Sequence, residues 1–511
     1  MKKYCIASAF LLGLLVSASS SSYRINSVRY IIDGMTKEAS IEREVKIDKT
    51  IIFPDEVAFA KYIDDYRQRL LNTRLFDEIS IEYSTRLFDE EADLYIADLT
   101  VRLDDSFHFI GMPYPKYDSN NGFTLKLKIK DTNFFGTMKD MAADINFLLK
   151  TDESDTEMKH VVDDMGIEMG VNLSFDIPFR LANLNATWTN SYGISYTIGH
   201  SSPEWDAATG IDFSVPFGHR TSLDFSFTQG FTRNFDYKKY GDDTYFTEKG
   251  KISLPIVLQR IENWGSVDYT PYVSAIYYWD FDGISDSNED LVGPRLALGQ
   301  TIGTSRIDWK NNLRTGLSIS TTQSFTYIVE GAKLQPKFSA EFKGFKGFKR
   351  IGIASDIYFF MMMNGTENIG PRLRGIRDKQ YFSVSSGYGD SYACKTSGAL
   401  AVNLDFPIRV FATRFEKNRV MRKLNFEVQV SPFIDFALLN NKAAGTIFSI
   451  KDGFYAGGLE VIVFPESWKS IQFRVSFGID AGRYLLKRFI NTDWRREVSR
   501  YELSIGIGLH Y

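Results

Sequence analysis

The chain has 511 residues, 44% of them apolar and 24% charged, enough apolar material for a large core, yet only its N-terminus carries an apolar run approaching the length of a membrane helix. A spanning helix needs ~20 nearly uninterrupted apolar residues, so a helical membrane protein is excluded. With 60 Lys+Arg against 64 Asp+Glu the formal net charge is -4, and no global basic field marks nucleic acid as a partner.

At the start, Lys2 and Lys3 precede an apolar run from Tyr4 to Val16 and then the small residues Ser17, Ala18, Ser19 and Ser20. That order predicts a signal peptide over residues 1–22, cut between Ala18 and Ser22. Its removal takes Cys5 away and leaves Cys394 as the one cysteine, so no internal disulfide is expected.

Residues 23–105 read as a small α+β domain. A strand from Arg24 to Ile32 meets a turn at Asp33 and Gly34, and a short polar helical stretch follows. Pro54, Asp55 and Glu56 have the chemistry of a helix start. Phe59, Tyr62, Ile63, Tyr66 and Leu70 then fall on one helical face, and strands are expected at Ile79–Tyr83 and Leu94–Leu103.

Residues 106–511 change period. Ile167, Met169, Val171, Leu173, Phe175 and Ile177 alternate with polar residues or Gly, as do Leu424, Phe426, Val428 and Val430, and then Ile471, Phe473, Val475, Phe477 and Ile479. Period 2 places one apolar and one polar face on each strand, over lengths that reach the ~9–11 residues of a tilted membrane strand. The 41 Phe and 27 Tyr would furnish aromatic girdles at two membrane interfaces. The expected fold is therefore mainly β: a transmembrane antiparallel β-barrel preceded by one small α+β domain. Candidate strands run from 122–132 to 501–511 and number one more than an even count allows. Single-chain barrels are normally even-stranded, which favours about 16 strands and a mistaken division between 334 and 363. Polar stretches at 152–164, 236–243 and 282–290 read as loops.

Within 23–105, Leu71-Asn72-Thr73-Arg74-Leu75-Phe76-Asp77-Glu78-Ile79 joins the second helix to the second strand. With the β-α-α-β-β order, this resembles a POTRA domain. A single POTRA domain feeding a C-terminal barrel resembles the outer-membrane-protein-85 superfamily of BamA/TamA-like bacterial surface antigens, and three local patterns carry that resemblance further. Asn133, Phe134, Phe135 and Gly136 look like the family's first hairpin. Leu373, Arg374, Gly375 and Ile376 resemble the signature of its sixth extracellular loop, which folds back into the lumen. An arginine there must meet carboxylate or backbone acceptors, and the resemblance implies Asp435 as partner of Arg374. The chain departs from the family pattern at Ile376, Asn403 and Ala437. Ser504, Gly506, Leu509 and Tyr511 fit the C-terminal signal of outer-membrane proteins.

The resemblance implies an outer-membrane barrel with its soluble domain in the periplasm. It implies a protein assembly and insertion, or polypeptide translocation, factor. The POTRA-like domain would capture clients by strand addition. The seam between first and last strands, 122–132 and 501–511, would open laterally. Partners would be unfolded outer-membrane protein clients, outer-membrane lipid, and periplasmic chaperones or accessory lipoproteins. A passive pore or surface-exposed adhesin is the alternative.

No enzymatic activity is expected. His108, His160, His200, His219 and His510 are scattered without ligand spacing, and no Ser/His/Asp grouping stands out. No cofactor or metal is expected: Asp280, Asp282, Gly283, Asp286, Asn288 and Asp290 lack the terminal Glu of a calcium loop.

Overall fold

A computed structural model describes residues 21–509 except 119–121, 150–166, 183, 199–201, 219, 234–243, 262–263, 281–292, 377–381, 384–394, 416–423, 443, 492–494 and 497–500. Residues 1–20 of the expected signal peptide, the loop at 282–290, Cys394, His160, His200, His219, His510 and Tyr511 lie outside the described residues, and Ser22, expected to end that peptide, begins the first strand.

The N-terminal unit consists of β1 (Ser22–Asp33), α1 (Glu38–Glu44), β2 (Ile52–Phe53), α2 (Glu56–Thr73), β3 (Phe76–Asp89) and β4 (Leu94–Asp105). Its sheet order is β2-β1-β4-β3, with β1 and β4 parallel. Helix α2 begins where Asp55 Oδ1 accepts the Ala58 N–H at 2.7 Å, a cap worth about 0.5–2 kcal/mol. Phe59, Ile63, Tyr66 and Leu70, spaced by three and four residues, are its buried stripe against the sheet. Burial of each such side chain contributes roughly 1.5–3 kcal/mol. Tyr62 stays partly exposed, its hydroxyl accepting the Asp48 N–H.

Beyond Asp105 the strands close into an antiparallel barrel. Here the alternation is inverted relative to a water-soluble core. On the strand Phe426–Asn441, Gln429, Ser431 and Asp435 are buried while Ile434 is exposed. On Phe473–Asp480, Ser476 and Asp480 are buried while Val475 and Phe477 are exposed. Polar side chains thus face the lumen and apolar ones face outward, the arrangement a barrel in lipid requires.

The 21 β segments of the closed sheet form 18 staves among the described residues. Thr244–Ser253 with Ile256–Ile261, and Gly398–Asp405 with Ile408–Ala412, are halves of single staves, and Thr446–Ile447 is a short ladder at the tip of Phe426–Asn441. The expectation of about 16 therefore needs correction. The division between 334 and 363 is sound, since Lys333–Gly347 and Gly352–Met362 are separate strands. What was missing is β5 (Phe109–Asp118), which pairs with β6 (Gly122–Asp131) from Phe109 opposite Asp131 to Asp118 opposite Gly122. Gly111, Pro113 and Pro115 disguise β5 as linker, because they remove alternation and backbone donors. The barrel consequently closes between β5 and Tyr501–Ile507, not at 122–132. The two last strands, of 8 and 7 residues, are half as long as the 16-residue strands Arg295–Lys310 and Leu313–Ile328.

The N-terminal unit docks on the short turns at one end of the barrel, here the proximal end. The Asn72 amide donates to Asp308 Oδ1 at 2.9 Å and its carbonyl accepts the Trp309 N–H at 3.0 Å. Asp65 pairs with Arg306 at 2.6 Å, and Asp48 with Arg260 at 3.2 Å. Arg74, the left-handed C-cap of α2 at φ 56°, stacks over Trp309 at 4.4 Å. It also donates to Lys469 O and to Asn312 Oδ1. Burial pushes its pKa down to about 10, with Glu427 acting the other way.

Candidate functional site in the barrel lumen

The site is built by a long connection that leaves Gly352–Met362, turns inward through the 3₁₀ turn Gly370–Arg372, and rejoins the wall at Gly398–Asp405. Ile369, Leu373 and Ile376 are fully buried, packed with Phe360, Ala399, Ala401, Ala437 and Ala456. Small inward side chains on the wall leave room for the loop's larger ones. Ile376 fills its place by aliphatic packing, and Ala437 belongs to the same cluster.

Arg374 is 1% exposed. Its backbone N–H and Nε both donate to Asp435 Oδ2 at 2.9 Å, and Nη2 donates to Asp435 Oδ1 at 2.7 Å. The outer edge of the same guanidinium meets Asp405, with Nη1 to Oδ1 at 2.7 Å and Nη2 to Oδ2 at 3.0 Å. Glu460 Oε1 lies 3.3 Å from Nη1 and is shared with Arg474 at 3.4 Å. The Phe433 ring lies under the guanidinium at 3.9 Å. A planar fork can satisfy two carboxylates edge-on while stacking on a ring; an ammonium cannot.

The floor beneath this cluster is a cross-strand row. Phe433 pairs with Gly458, Gly458 with Gly478, and Gly478 with Glu502. A Cβ on Gly458 would stand 2.6 Å from the Phe433 ring, so Gly458 admits that ring. Gly375, at φ +88°, rests on Gly478.

Three participants were not foreseen. Asp405 stands two residues beyond Asn403 on the same face of its strand, while Asn403 itself donates to Arg372 O at 2.6 Å. The strand that carries Asn403 thus supplies a lumenal carboxylate one side-chain period further on. Glu460 and the stacking role of Phe433 complete the set. Arg372 forms a second anchor, over Tyr358 at 3.7 Å and 3.1 Å from Glu341. Period-2 parity could have found Asp405; nothing local marks Glu460.

The other two patterns lie elsewhere. Asn133, Phe134, Phe135 and Gly136 sit in the proximal turn between β6 and Met141–Leu149, the second hairpin once β5 is counted. Asn133 is buried, donates to Thr36 Oγ1 at 2.7 Å, and accepts the Met138 N–H at 2.9 Å. Its own N–H donates to Asp131 Oδ1, which lies 2.6 Å from His108 Nδ1. Gly136 O accepts the Lys37 N–H at 2.9 Å, and a Cβ on Gly136 would stand 1.9 Å from Met35 O. Phe135 is exposed. This turn is therefore the seat of the α1 region. Ser504 and Gly506 lie on the last strand, opposite Ser476 and Arg474, and Leu509 lines a small cavity with Trp309, Arg314 and Asp405.

No family model matches the chain, and no curated protein does. Among solved structures, CdiB from Acinetobacter baumannii is similar over 95% of this chain and 74% of its own, at 10% identity and a TM-score of 0.45. CdiB from Escherichia coli is similar over 95% and 76%, at 11% identity and a TM-score of 0.49. BamA from Haemophilus ducreyi lacking POTRA domains 1–3 is similar over 95% and 85%, at 13% identity and a TM-score of 0.36.

Proposed function

We propose that this chain is a non-enzymatic outer-membrane factor that inserts β-barrel proteins into the bacterial outer membrane or moves polypeptides across it, with its N-terminal POTRA-like unit in the periplasm. The observation that carries this reading is the loop tip at Arg374, held inside the lumen by Asp405, Asp435 and Phe433. Such a strut holds the wall to one side of the closure, so the seam can part without collapse of the lumen.

The closure between β5 and Tyr501–Ile507 is suited to parting. Alternate residues of a strand direct their N–H groups to the same neighbour. Pro113 and Pro115 share one parity, so both missing donors fall on one edge of β5. The other edge carries an unbroken register to β6, which assigns the deficit to the seam. The short last strands limit the number of bonds across it further. At the N-terminal unit, β3 is an edge strand with Tyr83, Leu87 and Phe88 exposed, and its free backbone groups can take up an extended client by strand addition.

The test is reconstitution of the chain in liposomes with an unfolded barrel client, using cysteine pairs that bridge β5 to the last strand. Oxidation should abolish insertion and reductant restore it. Undiminished insertion with the seam bridged would overturn the proposal, as would a stable open-pore current without any insertion.

A further inference from the structure

A cleft of about 1750 Å³ separates the N-terminal unit from the proximal turns of the barrel. On one side it is lined by α1, the segment Lys46–Phe53 and α2, and on the other by Pro178, Phe179, Arg180, Ile261 and Trp264. Small-molecule pockets occupy ~300–1,000 Å³, so this space fits a longer occupant. Its charge is lopsided: eight cationic side chains line it against four carboxylates. Two of those carboxylates, Asp48 and Asp65, are taken up by Arg260 and Arg306. Among the described residues Lys37, Lys46, Lys49 and Arg180 form no ion pair, and all four are exposed. Between these cations stand exposed apolar side chains, Ile52 and Ile261 among them.

The cleft also contains a strand edge. β2 ends the sheet and pairs with β1 only through Tyr23 opposite Phe53 and Arg24 opposite Ile52. Its far side therefore offers unpaired backbone groups beside the cations. A polypeptide can use an edge of that kind; a lipid headgroup cannot.

We propose that this cleft is a receiving site for extended acidic polypeptide segments, which lie along the β2 edge between the N-terminal unit and the proximal turns of the barrel. The proposal rests on the polypeptide-handling function above and names the chemistry of what is received. The segment's apolar side chains would meet Ile52 and Ile261, and its acidic ones Lys37, Lys46, Lys49 and Arg180, residues that the two walls present together. Because the cations are solvent-exposed, attraction acts over about a Debye length, ~10 Å at 0.1 M salt, and weakens as salt rises.

The test uses the full chain in detergent micelles and a short labelled peptide of alternating Val and Glu. Its Val/Lys counterpart, a copy N-methylated at every second amide, and phosphatidylglycerol vesicles serve as comparisons. The Glu peptide should bind, weaken with salt, and lose about tenfold or more in affinity, ~1.4 kcal/mol, in the K37E/K46E/K49E/R180E variant. The Lys peptide should gain in that variant, and N-methylation should weaken binding of the Glu peptide. A milder set, with Gln at the same four positions, keeps the test decisive if charge reversal disturbs docking; heat-modifiable electrophoretic mobility reports that the barrel is folded. Equal binding of both peptides, indifference to the four substitutions, or vesicles as the sole ligand sensitive to them would each overturn the assignment. Client insertion by the unaltered chain alongside charge-indifferent peptide binding would overturn the cleft alone. Charge-dependent binding without insertion would overturn the wider function alone.

Discussion

Gly375 and Gly478 meet backbone to backbone. A Cβ on Gly478 would stand 2.8 Å from the Gly375 Cα, and one on Gly375 would stand 2.7 Å from Ile479 N. Neither neighbour is a flexible side-chain end, so the loop tip can reach the last strands only because both residues are glycines. Gly375 also has φ +88°, where an L side chain is strained. Gly375→Ala should therefore cost about 1–3 kcal/mol through contact and backbone strain. Gly457→Ala is the matched control, its nearest neighbour being Phe433 O at 3.6 Å. Limited proteolysis in micelles should show accelerated cleavage of the 369–376 segment for Gly375→Ala and none for Gly457→Ala.

Arg374 neutralises the carboxylates of Asp405 and Asp435 in the lumen. Arg374→Ala leaves Asp405, Asp435 and Glu460 facing one another without the guanidinium that holds them, a loss of about 3–5 kcal/mol when a buried pair is broken. Arg374→Lys should recover little, since one ammonium cannot hold two carboxylates edge-on. Asp435→Asn should exceed Asp405→Asn, because Asp435 accepts three hydrogen bonds from Arg374 and Asp405 two. Thermal loss of heat-modifiable mobility would rank the four variants; equal midpoints for both Asn variants would contradict the geometry.

Much of this was legible in the sequence, and the gaps have physical causes. Alternation revealed the strands whose two faces differ, such as Phe473–Asp480, because lipid and lumen impose opposite polarity. β5 escaped because Gly111, Pro113 and Pro115 break that pattern. The Arg374 to Asp435 pair came from resemblance. Asp405 did not, because matching residue by residue pointed to Asn403, whereas lumen chemistry depends on which face a carboxylate occupies and tolerates a shift of two. Docking of the N-terminal unit could not be read at all: Asn72 and Trp309 are hundreds of residues apart, and no local pattern joins them.

Arg74 tests that docking. Its left-handed backbone suits glycine, so Arg74→Gly preserves the end of α2 while removing the stack on Trp309 and the hydrogen bonds to Lys469 and Asn312. Docking should weaken by on the order of 2 kcal/mol. The prediction is a rise in frequency of brief open-channel events in planar bilayers. An unaltered record would mean that the N-terminal unit does not restrict the proximal mouth.

Acid should loosen the same contact. Burial acts to raise the pKa values of Glu44 and Asp48, but Glu44 is pulled below the usual carboxylate range by Lys139 and Arg43, and Asp48 by Thr50 and Arg260. Lys139 and Arg260 belong to the barrel, so their share of each depression exists only while the unit is docked, whereas the shares of Arg43 and Thr50 persist. A depressed carboxylate contributes stability above its undocked pKa and loses it as pH falls through the docked value. Asp77 opposes them: burial raises its pKa, against the pull of Lys469, so protonation favours its docked state. Protonation of Glu44 and Asp48 breaks the ion pairs Lys139–Glu44 at 2.9 Å and Arg260–Asp48 at 3.2 Å, and the expected result is undocking as pH falls below the normal carboxylate range. With Cys394→Ser as background, dyes on Val57→Cys and Ile351→Cys, both exposed, should lose energy transfer on acidification while the barrel stays folded. Glu44→Gln should flatten that transition, and Asp77→Asn should steepen it. Energy transfer that rises toward acid would show that Asp77 dominates and would reverse the sign argued from Glu44 and Asp48.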